Sequence, residues 1–157
     1  MGGCGTLRYV SVFMRAVVRR WNEPGFGEAA AFVAEQSRFR LQSPNQSWSD
    51  FEAVDAAGET VLAADVWTRD AAHEELAELA EFLDDLDGDA GAREAVRQHL
   101  SEANAVVGMQ VLMSRYDDSV AAANAIIEFF EQQPGVLTQV DTVGWYDGDE
   151  LVLQEPE

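Results

Sequence analysis

The sequence predicts an α+β fold in which two strand–helix–strand–strand units flank a helical hairpin, with helices on one face of a mixed β-sheet. Three observations carry that expectation. Residues 15–67 and 105–153 follow one plan: an apolar segment, an amphipathic segment, then two alternating segments joined by a tight turn. The landmarks keep a nearly constant spacing. Gly58-Glu59 and Gly148-Asp149 stand 90 residues apart, and Ala16-Val17-Val18 and Ala105-Val106-Val107 stand 89 apart. Such spacing suggests a supersecondary unit used twice, a βαββ pseudo-repeat. Between the units, residues 69–103 place apolar side chains at helical spacing.

Taken in order, residues 1–14 read as a leader before the first well-patterned strand, which opens at Arg15. Gly2 and Thr6 fit an N-myristoylation pattern, with Cys4 available for a second acyl chain. A match this short is read as chance. Arg8 interrupts what would be the apolar core of a secretion signal. Asn22-Glu23-Pro24-Gly25 marks a turn, and a helix follows over 26–37, with Arg38 and Arg40 near its negative end. Residues 43–47 read as a loop. Phe51 and Ala53 alternate with Glu52 and Val54 into a hairpin at Ala57-Gly58.

In the central segment Ala72, Leu76, Leu79, Leu83 and Leu86 oppose Glu74, Glu75, Glu78, Glu81, Asp84 and Asp85, which predicts a strongly amphipathic helix. Asp87–Gly91 breaks it, and a second helix follows over 92–103. The apolar stripe of this pair is expected to pack on the sheet. In the second unit Asp117 or Asp118 is expected to cap a helix whose buried face holds Val120, Ala123, Ile127 and Phe130. Pro134-Gly135 ends it, and Asp147-Gly148 predicts a tight hairpin. The resulting six strands make one mixed sheet or two packed sheets. A ferredoxin-like order of the first four strands is the rival arrangement.

A chain of 157 residues, 47% apolar, supports one domain with its own core. No apolar run reaches the roughly 20 residues that a membrane helix needs. Formal net charge is −19, and all ten cations are arginine. The charge is uneven: residues 1–40 carry six Arg and three Glu, whereas residues 41–157 carry four Arg and 26 acids. The bland explanation places the basic first strand beside acidic elements of the same chain. The functional one places it against a second copy, as a homodimer. Nucleic acid is disfavoured as a partner, because phosphate neutralisation needs clustered cations. A single cysteine allows no intrachain disulfide and fits a reducing, cytoplasmic setting.

The motifs name no reaction. Asp85, Asp87 and Asp89 alternate as in a calcium loop, but Ala90 and Val96 stand where Gly and a bidentate Glu are required. The pattern is therefore read as an acidic turn. His73 and His99 are the only histidines, and two are too few for a metal centre. A surface or boundary place is expected for both, and no cofactor is implied. The pair Trp145-Tyr146 stands among Asp141, Asp147, Asp149 and Glu150. Strand neighbours face opposite ways, so one aromatic is expected in the core and the other at the surface. Trp145, Tyr146, Asp141 and Asp147 are the candidate binding residues. The preferred reading is a non-catalytic interaction module that binds a basic protein. The alternative is a small-ligand-binding protein or small enzyme with a pocket between the two units.

Overall fold

The computed structural model describes residues 11–156. The Gly2–Thr6 pattern and Cys4 lie outside the described residues. Eight strands and four α-helices follow one another as β1 (Ser11–Val18), α1 (Phe26–Gln36), β2 (Arg40–Gln42), β3 (Phe51–Val54), β4 (Thr60–Thr68), α2 (Arg69–Glu81), α3 (Ala90–Glu102), β5 (Ala105–Leu112), α4 (Tyr116–Glu131), β6 (Val136–Val140), β7 (Gly144–Asp147) and β8 (Glu150–Gln154). The strands form one sheet, ordered β2-β3-β4-β5-β1-β6-β7-β8. Every pairing is antiparallel, so the sheet is not the mixed one that the sequence suggested. Residues 11–14 belong to β1 rather than to a leader, and Met14 is buried.

Alternation along the central strands sends side chains to both faces, and both are covered by helices. Met14, Ala16 and Val18 of β1 and Ala105, Val107, Met109 and Val111 of β5 join Val33 of α1 and Ile126 and Phe130 of α4 in one core. Val17 and Val106 point the other way. They join Ala72 and Leu76 of α2, Val96 and Leu100 of α3, and Trp145 and Leu153 in a second core. The helical pair therefore packs on the sheet as its stripe predicted, but on the face opposite α1 and α4. The expectation of helices on one face is corrected, because the central strands are apolar on both sides.

The strand order does not repeat between the two units. The two first strands, β1 and β5, pair at the centre; the hairpin of the first unit joins them by its second strand, β4 beside β5, whereas the hairpin of the second joins by its first, β6 beside β1. The central four strands run β6-β1-β5-β4, with α1 in the connection from β1 to β4 and α4 in that from β5 to β6. This is the order of a split βαββαβ unit. The ferredoxin-like rival, placed on the first four strands, is not what forms: this order involves β1, β4, β5 and β6. The β2–β3 hairpin and the α2–α3 pair are insertions, and β7–β8 is an extension.

Local chemistry fixes the joints. Asp89 caps α3 by accepting from the Ala92 N–H at 2.6 Å, so the acidic turn serves as a helix cap. No side chain caps α4, and Asp118 instead pairs with Arg38 and with Arg115, the latter at 2.8 Å. The buried Ser119 hydroxyl accepts from Leu112 N–H at 2.9 Å and donates to Val61 C=O, clamping the start of α4 onto β4 and β5. His99 is buried rather than at the surface, its Nε2 2.8 Å from Val17 O. That burial lowers its pKa. Trp67 lies flat on Gly108, where any Cβ would collide with the indole ring.

Candidate functional site

The helices cover the sheet unequally, and the open part of one face forms a cleft of about 750 Å³. The register explains its floor. Val107, Ala16, Thr138 and Tyr146 are paired in a row across β5, β1, β6 and β7, and Met109, Met14, Val140 and Gly144 form the next row. α4 lies over β4 and β5 at one side of these rows. Val12, Met14, Val140, Thr138 and Tyr146 are left as the floor beside it.

One stripe of α4 makes the wall: Val120, Asn124, Ile127, Glu128 and Glu131 share a helix face at three- and four-residue spacing. The turn Asp141-Thr142-Val143 and the β7–β8 turn at Gly148-Asp149 make the rim. Thr142 holds a positive φ of 69°, an uncommon conformation for a β-branched residue. Met113 and Tyr116, both exposed, flank the far end.

Two features of this cleft are chemically unresolved. Thr138 is only 5% exposed, and its Oγ1 has no hydrogen-bond partner among the described residues. Burial of an unpaired hydroxyl costs about 1–3 kcal/mol. The second feature is a group of carboxylates at the end of α4. Glu131 is raised above its ordinary pKa of 4.5, first by burial and then by the charges of Asp149, Glu128 and Asp147. α4 has no basic residue in its last turn, so these acids sit against the negative end of the helix dipole. Among the described residues, none of the four is in an ion pair.

The four expected binding residues separate. Trp145 is 2% exposed and belongs to the second core, under α2 and α3. Tyr146 faces the other way, into the cleft, so the alternation was read correctly. Asp141 stands at the rim, accepts from the Phe13 N–H at 3.0 Å and from Arg15 Nη1 at 2.7 Å, and is occupied structurally. Asp147 is exposed at the end of β7. The sequence reading missed Thr138, Asn124 and Glu131. Each had a signal: Thr138 shares a strand face with Val136 and Val140, and Asn124 and Glu131 fall on the apolar stripe that contains Val120 and Ile127.

The basic first segment is largely consumed within the chain. Arg15 pairs with Glu75 and Asp141, Arg19 with Glu102, and Arg38 with Asp118. Among the described residues, no group of three or more His, Cys, Asp or Glu is placed to hold a metal ion, and no helix is long and apolar enough to cross a membrane. In comparisons with protein-family models, curated proteins and solved structures, the chain has no significant match.

Proposed function

We propose that this chain is a non-catalytic binding protein that holds a small molecule in the cleft between α4 and strands β1, β6 and β7. The observation that supports the reading is a concave cleft of mixed lining, with Val12, Met14, Val120 and Ile127 beside Asn124, Glu128 and Glu131, whose floor holds the buried Thr138 hydroxyl, without a partner among the described residues. Ligand sites are concave and mainly apolar, with a few polar groups that fix orientation, and the volume here suits that role. A threonine nucleophile would need an adjacent base, and Thr138 Oγ1 has no hydrogen-bond partner among the described residues. The lining comes from β1, through Val12 and Met14, and from residues 111–149.

A thermal-shift screen of small molecules tests this reading, with Asn124→Trp as the cleft-filling control. Asn124 is exposed on α4, so the indole fills the cleft without entering the core. Ligands are expected to raise the Tm of the wild type and not of Asn124→Trp. Equal shifts in both proteins, or none in either, would refute the cleft as the site. A second reading, a basic protein partner, is favoured by the exposed Asp147, Asp149 and Glu150 of the last turn. It predicts binding that weakens with salt and with Asp147→Asn.

A further inference from the structure

We propose that the cleft selects a primary ammonium group carried on an apolar body. The inference rests on the ligand-binding reading and names the class of ligand. Its support is the polarity of the cleft from end to end. At the end where α4 begins, the lining is mainly Val12, Val111, Met113 and the Tyr116 ring, and the one carboxylate there, Asp141, is already held by Arg15 and the Phe13 N–H. At the end where α4 finishes, Glu128 and Glu131 face the β7–β8 turn, which contributes Asp149, while Thr138 and Tyr146 lie on the floor. A chain laid along this axis meets carbon first and carboxylate last.

The charges at the acidic end call for a cation. Four carboxylates interact there, from α4 (Glu128, Glu131), from the end of β7 (Asp147) and from the β7–β8 turn (Asp149). All are of one sign, and the carbonyl end of α4 adds partial negative charge. The described residues supply them no counter-ion, although most arginines elsewhere are paired within the chain. An ammonium group would relieve this repulsion, and it has three donors to offer. Thr138 Oγ1, without a partner among the described residues, is closed off from water in the free protein and accepts one of them as the floor yields to the ligand. A carboxylate ligand would meet repulsion at the same place. A neutral alcohol could satisfy Thr138 but would leave the four acids as they are.

The test uses the full chain and three probes of equal length: n-hexylammonium, n-hexanol and n-hexanoate. Binding is followed by amide chemical shifts, with attention to Thr138, Val140 and Tyr146, in the wild type and in Glu131→Gln. n-Hexylammonium should shift those amides and bind about tenfold or more tightly than n-hexanol, the factor expected of one charge-assisted hydrogen bond. n-Hexanoate should not bind. Glu131→Gln should lose most of the preference for the amine while still binding n-hexanol, which also shows that its cleft is intact.

If n-hexanol or n-hexanoate binds as well as the amine, charge selection is overturned and the ligand-binding reading stands. Amine shifts confined to other acidic surfaces, or equal in Glu131→Gln, overturn it too. If no probe moves the cleft residues, both the inference and the reading beneath it fall.

Discussion

The two flanks of the sheet, on the same face, show how similar sequence plans can give opposite results. On the β2–β3–β4 flank the space between sheet and helices is filled with rings. Trp48 packs against Phe26, Phe51 and Phe130 with centroids 5.1–5.4 Å apart, and Trp21 leans on it at 6.1 Å. The Trp48 indole donates to Pro24 C=O at 2.8 Å, so even its polar atom is satisfied. On the β6–β7–β8 flank the corresponding space is the cleft, and its buried hydroxyl is unsatisfied. The cause is the direction in which each hairpin enters the sheet. The first joins by β4, which brings its outer strands under α1. The second joins by β6, whose extension runs away from α4 and leaves a cleft beside Thr138 and Tyr146.

Electrostatics divides in the same way. At the filled flank Arg115 binds Asp55 and Asp118, each at 2.8 Å, and hydrogen bonding to it holds both carboxyls below their ordinary range. At the open flank Glu131 is pushed up by burial and by the like charges of Asp149, Glu128 and Asp147. One end is settled by pairing, whereas the acids at the other have no ion pair among the described residues.

The largest effect is expected where the filled flank is emptied. Trp48→Ala removes a buried indole from the ring cluster and should cost about 3–5 kcal/mol in denaturant unfolding. A loss under 1 kcal/mol would mean that the cluster contributes little. Next comes Ser119→Ala, which leaves Leu112 N–H and Val61 C=O without their buried partner and should cost about 1–3 kcal/mol. Its effect on amine binding should be small if the clamp serves only the fold.

The smallest effect concerns pH. Because the folded-state pKa of Glu131 is raised, the folded chain holds a proton that the unfolded chain has lost between pH 4.5 and that raised value. Its contribution is therefore greatest below pH 4.5 and declines as pH rises through this window. Glu131→Gln should remove that decline, so the two stability curves should converge at low pH and separate, mutant above wild type, towards neutrality. Asp55 and Asp118 act in the opposite sense, since their stabilisation is lost as pH falls below 3.8. Parallel curves for wild type and Glu131→Gln would contradict the assignment.

Much of the secondary structure was legible because periodicity and turn chemistry are local. The helix spans, the hairpins at Gly58 and Gly148 and the packing of the α2–α3 stripe on the sheet all follow from nearby residues. What was lost was long-range or short. β2 has three residues, too few for a pattern, and was read as helix end and loop. The sheet order depends on which strand of each hairpin meets the centre, and Val61 and Val136 look alike to a sequence. The cleft was invisible for the same reason: Thr138 is an ordinary strand residue until the direction of the last hairpin leaves it buried beside empty space. The acid-ringed aromatic pair lies in the hairpin that borders the cleft, with Trp145 in the core and Tyr146 in the lining.

The central claim is that the open flank is a site held open against its own stability. It is tested most directly by unfolding wild type and Thr138→Val with and without n-hexylammonium. The account predicts that Thr138→Val alone is more stable than wild type by about 1 kcal/mol, because a buried unpaired hydroxyl becomes a methyl of similar shape. It also predicts that the variant gains less from the amine than wild type does. A variant less stable than wild type, yet stabilised equally by the amine, would show that Thr138 is an ordinary structural residue and would contradict the account.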